Sequence, residues 1–250
     1  MNHENIYIYG KHAVQEALDR VPHAVKHLYF VSGQNSTKFL EQGRTLGISY
    51  DNCDVDHLPR GVDRDVVHQG VLALVSPSKI MVPFKKFMDE LVVKDATGLV
   101  LLDELTDPHN VGAVIRSAAA FGVSAVLIPE HRQAQITGTV VKVSAGMAFA
   151  LPLVQVINVN NAIRDLKDKG FWVYGLTSGG ATKLADERFT KPSVFVLGNE
   201  GKGIREKTEE LCDFKLSVPI SSKCESLNAA VSAGVVLYAW KTQATVLENK

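Results

Sequence analysis

The sequence contains few cysteines and no long apolar run, and both shortages limit where the protein can work. Its 250 residues include only Cys53, Cys212 and Cys224, whose spacing fits no metal site and which cannot all pair with one another. A reducing cytoplasm is the compartment that this usage favours. No stretch approaches the roughly 18 to 20 apolar residues of a membrane span, and the opening MNHENIYIYGKHAVQ lacks the basic-then-apolar pattern of a signal peptide. We therefore expect a cytoplasmic protein with no membrane partner.

The chain also lacks an excess of charge of either sign. Lysine and arginine together number 27, and so do aspartate and glutamate. A nucleic acid would therefore have to bind at a local basic patch, because the chain as a whole does not attract a polyanion. Six of the eight histidines fall within the first 77 residues, but their spacings match no ligand pattern, so no metal site is expected.

Short apolar runs alternate with helical patterns from Gly98 onward. Strands that are apolar throughout and alternate with helices are typical of a mostly parallel sheet covered on both faces, so the predicted fold class is α/β. The runs lie at residues 100–103, 125–128, 153–156, 172–175, 194–197 and 215–218, and the helices at 111–121, 139–148, 162–169 and 204–211.

The first part of the chain has its own pattern and predicts a separate small α/β domain. Strands are expected at residues 25–31 and 71–75, with a helix at 37–46. The stretch that follows carries two prolines and one short amphipathic helix, which is typical of a linker. The predicted organisation is a first domain at 1–77, a linker at 78–96 and a second domain at 97–250.

Two glycine-rich stretches invite comparison with phosphate-binding loops. Gly198 and Gly203 have the spacing of a Walker loop, as do Gly175 and Gly180, but neither pair is followed by lysine and serine or threonine. The dinucleotide fingerprint G-x-G-x-x-G is also missing after the first strand of the second domain. The sequence therefore favours neither a P-loop nor a nicotinamide cofactor.

Residues 194–240 bring two strand ends and two loops to one place. The first strand ends in Gly198-Asn199-Glu200-Gly201, and the second ends at Val218 and leads through Ser226-Leu227-Asn228 into a long helix. Small residues allow a backbone to approach a ligand closely, while Glu200, Ser226 and Asn228 supply polar groups. This stretch is the predicted cofactor and active site.

A second polar stretch, residues 107–116, follows the first strand of the second domain. Asp107-Pro108 is turn chemistry, and Asn110 is a candidate helix N-cap. Arg116 lies six residues further on, a rotation of about 240° net, so the two share a face only if Asn110 is not yet helical. The alternative is that Asn110 only caps the helix and Arg116 pairs with an acid on a solvated surface.

Three motifs then carry a resemblance to a known family. They are D-P-x-N-x-G-A-x-x-R at residues 107–116, L-G-N-E-G-x-G at 197–203, and V-P followed by S-L-N at 218–228. In this order they resemble the SpoU (TrmH) branch of the SPOUT RNA 2′-O-methyltransferases. Y-G-K-H-A-V at 9–14 and H-Q-G-V at 68–71 resemble the N-terminal RNA-binding domain of the subgroup that methylates a guanosine ribose in 23S ribosomal RNA.

The resemblance implies a SPOUT-type sheet with a deep C-terminal trefoil knot, S-adenosyl-L-methionine as cofactor, and a homodimer whose RNA crosses both subunits. Gly198, Val218 and Leu227 would contact the cofactor through their backbone. The reaction site would be formed by Asn110, Arg116, Glu200, Ser226 and Asn228. In the third motif this sequence has Ile220 and Ser222 where the family usually has methionine and glycine, and Ser222 could reach a left-handed glycine conformation only with strain.

The implied chemistry leaves alternatives open. Arg116 is the family's proposed base, yet a guanidinium resists deprotonation, so it either loses a proton transiently or stabilises the alkoxide and phosphate electrostatically. The substrate could instead be transfer RNA, or the protein could be a non-catalytic factor that binds ribosomal RNA during assembly. The last helix, expected at 227–241, belongs either to a dimer interface or to the core of one subunit.

Overall fold

The computed structural model describes residues 5–34, 36–62 and 66–248. Residues 1–4, 35, 63–65, 249 and 250, which fall within the predicted domains, lie outside the described residues. The chain divides into two compact units, one made of Met1–Met81 with Gln135–Ala150 and one made of Val82–Ala134 with Leu151–Lys250. The segment around the predicted helix 139–148 therefore belongs with the first unit, although it stands among the elements of the second in sequence.

The first unit is built on a four-stranded sheet in the order β1-β4-β2-β3. Strand β4 is antiparallel to both of its neighbours, whereas β2 and β3 are parallel. One face of the sheet packs on two helices, and in β2 the buried Leu28 and Phe30 alternate with more exposed residues. The elements are β1 Ile6–Tyr9, α1 Lys11–Arg20, β2 Val25–Val31, α2 Thr37–Thr45, β3 Ser49–Cys53, β4 Val71–Val75 and α5 Gly138–Val143.

The second unit is built on an eight-stranded sheet in the order β10-β12-β9-β11-β6-β7-β8-β5. Every pairing from β10 across to β8 is parallel, which confirms the predicted α/β class with a mostly parallel sheet. Its strands are β5 Met81–Pro83, β6 Gly98–Asp103, β7 Ala125–Pro129, β8 Leu153–Val156, β9 Trp172–Leu176, β10 Thr182–Lys183, β11 Ser193–Gly198 and β12 Phe214–Ser217. Its helices are α3 Phe84–Glu90, α4 Pro108–Ala120, α6 Val159–Asp168, α7 Glu206–Glu209 and α8 Ala229–Glu248.

The strand order creates a switch point between β6 and β11. From β6 the chain continues through α4 to β7 on one side, whereas from β11 it continues through α7 toward β12 on the other. Loops that leave adjacent parallel strands in opposite directions open a crevice at the carboxyl ends, where ligands bind in open α/β sheets. The first and second motifs follow these two strands directly.

The core of this unit reaches α8 through large aromatic side chains. Trp240 is 1% exposed, and a Cβ at Gly98 would lie 2.4 Å from its ring, so this position in β6 has no room for a side chain. Tyr174 is fully buried and stacks on Phe214 with ring centres 4.9 Å apart. The contacts of Trp240 with Gly98 and Phe195 fix α8 against the sheet and so fix the loop that precedes it.

Several predicted element bounds were wrong. The helix expected at 139–148 ends at Val143, because Ala145 and Gly146 take positive φ angles and a short 3₁₀ turn follows. The helix expected at 204–211 is only α7, since Ile204 is buried and the backbone of Arg205 is extended. The predicted linker contributes β5 to the large sheet. The knot that the resemblance implies stays a prediction.

Candidate active site

A cavity of about 580 Å³ opens at the carboxyl ends of β9, β11 and β12. The loop after β11 supplies one wall, and the segment between β12 and α8 supplies another. A cavity of this size is in the usual range for a cofactor site. Its lining comprises Leu176, Thr177, Ser178, Leu197, Gly198, Asn199, Glu200, Gly201, Lys202, Gly203, Ile204, Glu209, Leu216, Val218, Ile220, Glu225, Ser226, Leu227, Asn228, Ala229 and Ser232.

Six of the eight residues predicted for the site line this cavity. All three predicted cofactor contacts are among them, Gly198, Val218 and Leu227, together with Glu200, Ser226 and Asn228. Asn110 and Arg116 are not part of the lining. Asn110 is joined to the site by hydrogen bonds, whereas Arg116 is not.

The loop after β11 has a fixed shape because its own side chains and backbone close it. Asn199 and Gly203 exchange two backbone hydrogen bonds of 2.9 Å, and the Asn199 carboxamide oxygen accepts from the amides of Gly201 and Lys202. The other end of that carboxamide donates to the carbonyl oxygen of Glu104 at 2.9 Å. A Cβ on Gly198 would lie 2.2 Å from the backbone of Gly203, so only glycine allows this closure. Sequence reasoning missed Asn199, although an asparagine inside a glycine-rich turn is a recognisable signal.

Three side chains from distant parts of the chain form one hydrogen-bonded row. Asn228 accepts the amide protons of Ala230 and Val231 through Oδ1, as an N-cap residue of α8 does. Its Nδ2 donates to Oδ1 of Asn110 at 2.9 Å, and Nδ2 of Asn110 donates to Oε1 of Glu200 at 3.0 Å. Asn110 is 7% exposed, so its hydrogen bonds also satisfy a buried carboxamide.

The prediction that Asn110 caps α4 was wrong. Asp107 is the N-cap, because its side chain accepts the amide of His109 at 2.8 Å, and Pro108 takes the first helical position, where a missing N–H costs nothing. Asn110 therefore lies in the first helical turn. Its side chain is free to contact Glu200 and Asn228 because another residue does the capping.

Arg116 lies apart from this row. It is exposed on α4 and forms no hydrogen bond or ion pair with any residue in the described ranges. The rotation of about 240° between positions six apart on a helix explains why it does not accompany Asn110. The alternative in which Arg116 pairs with a nearby acid also finds no partner among the described residues.

A buried carboxylate at the end of β6 was missed by sequence reasoning. Asp103 is fully buried, and its oxygens accept from the backbone amide of Arg205 at 3.0 Å and from Nε of Arg205 at 2.8 Å. A third bond, from Nη2 of Arg205, measures 2.5 Å. This pair ties the strand before the first motif to the residue after the second.

The charged residues that line the cavity are mainly acidic. Glu200, Glu209 and Glu225 face one lysine, Lys202, and Glu209 also pairs with Lys215 at 3.0 Å. Such a lining suits a cationic ligand better than a phosphate. Among the described residues no group of three or more His, Cys, Asp or Glu side chains could hold a metal ion, and no helix is long and apolar enough to cross a membrane.

The loop between β12 and α8 accommodates both departures from the family pattern. Ile220 lines the cavity and is 38% exposed. Ser222 does not take a positive φ, so the strain expected of a serine in a left-handed glycine position does not arise.

A mostly parallel α/β sheet with a cavity at the carboxyl ends of β9, β11 and β12 is the arrangement of a ligand-binding α/β domain. Residues 98–238 match the model of the SpoU rRNA Methylase family, and residues 7–81 match the model for RNA 2′-O ribose methyltransferase substrate binding. The chain belongs to the SpoU rRNA methylase family.

Full-length relatives support this assignment. The chain is 38% identical over 250 residues to the 23S rRNA (guanosine-2′-O-)-methyltransferase RlmB of Pseudomonas aeruginosa, an alignment that covers 96% of this chain and 98% of the relative. It is 34% identical to the enzyme of the same name from Escherichia coli K12, over 92% of this chain and 96% of that one. Among solved structures, the SpoU methyltransferase AviRb from Streptomyces viridochromogenes in complex with AdoMet is 26% identical with a TM-score of 0.82, covering 97% of this chain and 91% of that chain.

Proposed function

We propose that this protein transfers a methyl group from S-adenosylmethionine to the ribose 2′-oxygen of a guanosine in 23S ribosomal RNA. The observation that carries the proposal is the cavity at the carboxyl ends of β9, β11 and β12, which Glu200 and Asn228 line and to which Asn110 is hydrogen-bonded. Relatives that match over nearly the whole chain are named for this reaction. Because ribosomal RNA and reduced cysteines are both found in the cytoplasm, the proposal places the protein there.

The residues present fit the cofactor. Gly198, Val218 and Leu227 line the cavity, and the closed loop at Gly198 leaves no space for a Cβ. The acidic lining suits the positive charge of a sulfonium group. When bound, S-adenosylmethionine supplies an electrophilic methyl group on that sulfur.

The row of side chains would orient the acceptor ribose and its leaving proton. Asn110 is held by Asn228 on one side and by Glu200 on the other, so neither carboxamide has to reorganise when the substrate arrives. Ser226 offers a hydroxyl in the cavity wall. Alignment of a nucleophile behind the methyl group can lower the barrier by several kcal/mol, on the order of 7 in favourable cases.

Arg116 completes the proposed chemistry. Its guanidinium either gives up a proton transiently and accepts that of the 2′-hydroxyl, or stays charged and stabilises the alkoxide and the adjoining phosphate while water takes up the proton. Both roles need an exposed arginine that no carboxylate has neutralised, and Arg116 is exposed with no such partner among the described residues.

A homodimer is part of the proposal because α8 has an exposed apolar stripe. Val231, Val235 and Tyr238 recur at helical spacing and are 51%, 38% and 60% exposed. Phe121 at the end of α4 packs edge-on against Tyr238, which extends the stripe onto the helix that carries Arg116. A second copy seated on this stripe would cover it and bring Arg116 to the border between the two chains.

Substitution of Arg116 tests the proposed function. We expect Arg116→Ala to lower methyl transfer to 23S ribosomal RNA by at least about 100-fold and to leave cofactor affinity within about twofold, because Arg116 does not line the cavity. Arg164→Ala removes another surface arginine of the same unit, one that is bound to Asn161, and serves as the matched control. Tritium transfer measures the reaction and calorimetry measures cofactor binding. Full activity in Arg116→Ala would exclude both proposed roles.

A further inference from the structure

The sheet of the first unit has a second face that its two long helices do not cover. On the helix-covered face, the Leu28 side chain contacts α2. A Cβ added to Gly43 of that helix would lie 2.6 Å from Cδ1 of Leu28. Because side chains alternate along a strand, His27 and Tyr29 point to the opposite side. The strand register places Tyr7 opposite Leu74 and Leu74 opposite His27, so these three side chains form a row across that side.

Three aromatic rings meet on this second face. The rings of His27 and Tyr29 have centres 4.7 Å apart, and those of Tyr7 and Tyr29 have centres 5.9 Å apart. All three side chains are half-buried. Tyr9 is not available in the same way, because the Lys142 ammonium already lies 5.1 Å from the centre of its ring.

Neighbouring groups hold these rings in place. His27 Nε2 lies 3.0 Å from Oδ2 of Asp51, a side chain that is 70% exposed on the next strand. Burial, followed by a hydrogen bond with Tyr7, raises the pKa of Tyr29 to about 12, so its hydroxyl stays protonated in the physiological range. The cluster is therefore preorganised, which reduces the entropy lost when a flat ligand packs against it.

A pair of lysines lies beside the start of the same strand. Lys26 precedes His27 where the strand register is irregular, so the simple alternation does not apply to it, and its side chain is exposed. The Lys79 ammonium donates to the carbonyl oxygen of His23 at 3.1 Å. The pKa of Lys79 is lowered from its usual value by a hydrogen bond with Lys26 and by the charge of that lysine, so the two amines lie close together. Neither lysine has a carboxylate partner among the described residues, which leaves a local site for an anion.

We propose that this face binds an unpaired segment of the RNA substrate, with a nucleobase packed against Tyr7, His27 and Tyr29 and the adjoining phosphates held by Lys26 and Lys79. The inference rests on the proposed function and assigns this surface to the RNA. Aromatic side chains recognise unstacked bases, whereas the bases of a duplex are not accessible to them. The exposed carboxylate of Asp51 repels phosphate and accepts hydrogen bonds from exocyclic amines. The RNA should therefore bind with its base near Asp51 and its phosphates near Lys26 and Lys79.

Affinity for unpaired and duplex RNA tests the inference in the full-length protein. Loss of a stacking ring should weaken binding of a labelled single-stranded oligonucleotide by about 5- to 100-fold in Tyr29→Leu and in His27→Ala, while duplex binding and cofactor affinity stay unchanged. Tyr29→Phe keeps the ring and should bind as the wild type does. Tyr50→Leu is the matched control, because Tyr50 lies on β3 but packs edge-on against Phe30 on the helix-covered face.

The lysine pair has a separate readout. We expect the double variant Lys26→Ala/Lys79→Ala to weaken binding for all sequences and to reduce the slope of log affinity against log salt by about 1 to 2. An unchanged slope would overturn the assignment of phosphates to this pair.

Cross-linking of the wild type with a 4-thiouridine oligonucleotide keeps the test independent of how the variants fold. Adducts on the β2 peptide support the inference, and adducts confined to other peptides overturn it. If Tyr29→Leu bound and methylated RNA as the wild type does, the inference would also be overturned. The face would then be a candidate surface for a protein partner. If the wild type bound RNA on this face but methylated none, the proposed function would fail while the surface assignment stood.

Discussion

The row of Asn228, Asn110 and Glu200 has a direction that the helix start imposes. Because Oδ1 of Asn228 accepts two amide protons of α8, its Nδ2 must be the end that faces Asn110. Asn110 then presents its oxygen to Asn228 and its nitrogen to Glu200. The helix end thus sets the orientation of both carboxamides, and no flip of either is compatible with all of these bonds.

The three cysteines differ in environment, and this predicts their order of reaction with a thiol reagent at pH 8. Cys224 is exposed and should react first. Burial and the nearby carboxylates of Glu209 and Asp213 raise the pKa of Cys212 to about 12, so it holds little thiolate at this pH and should react only on unfolding. Burial also raises the pKa of Cys53, which places it between the two. Mass spectrometry of timed alkylation checks the order.

Cys224 also reports on the proposed cofactor site. It precedes Glu225 and Ser226 in the cavity wall, and its thiol donates to the carbonyl oxygen of Ser226 at 3.0 Å. Saturating S-adenosylmethionine should therefore slow its alkylation, while Cys53, in the other unit, should be unaffected. Equal slowing of both cysteines, or of neither, would contradict a cofactor at this cavity.

At the level of elements, the Asp103–Arg205 pair joins β6 to the segment before α7. Arg205 is partly exposed, but the carboxylate it binds is fully buried. A buried charge is tolerated only when it is fully hydrogen-bonded, and Arg205 provides three of those bonds to Asp103. The pair therefore holds the first and second motifs at a fixed separation.

Removal of the guanidinium should destabilise the protein strongly. We expect Arg205→Ala to lower the free energy of unfolding by about 3 to 5 kcal/mol, because it leaves a buried carboxylate without its cation. The paired variant Asp103→Asn/Arg205→Leu removes both charges and should recover part of that loss. Urea denaturation measures both variants. Equal stability of Arg205→Ala and the wild type would show that the pair does not hold the fold.

The elements show which features of the sequence were sufficient for prediction. β-branched runs such as Val71–Val75 and glycine stops such as Gly170 after α6 are local signals, and the structure confirms the elements they predicted. Predictions from local sequence were wrong where contacts with other residues determined the conformation. Asn110 was a candidate N-cap, but Asp107 caps α4. Ile204 was expected in a helix, but it is buried in the core before α7 begins. The Asp103–Arg205 pair could not be predicted, because the two residues are 102 positions apart and neither belongs to a motif.

For the whole molecule, the sheet order explains why motifs far apart in sequence meet. The pairing of β6 with β11 places their carboxyl ends side by side, so Asn110 and Glu200, 90 positions apart, come within hydrogen-bonding distance. The start of α8 brings Asn228 to Asn110 across 118 positions. Sequence motifs identified the participants, and only the strand order shows how they meet. That order does not bring Arg116 into the cavity of its own chain, which is the physical reason for including a second copy in the proposed function.

The oligomeric state can be changed at the stripe on α8. We expect Tyr238→Asp combined with Val235→Asp to convert a dimer of two 27.2 kDa chains to monomers and to abolish methyl transfer, because a charge buried between apolar surfaces is unfavourable. Ile157→Asp is the matched control, since Ile157 is 80% exposed on the same unit outside the stripe. Light scattering coupled to size exclusion measures the mass. A wild-type monomer that remained fully active would contradict the dimer.

The most direct test of the proposed function is transfer of the methyl group to the ribose itself. Purified protein is incubated with unmodified 23S ribosomal RNA and S-adenosylmethionine carrying a tritiated methyl group, and the product is mapped by its resistance to alkaline hydrolysis. We expect label on the 2′-oxygen of a guanosine, present with the wild type and with Arg164→Ala and absent with Arg116→Ala. Label on a base, or label on transfer RNA but not on ribosomal RNA, would contradict it.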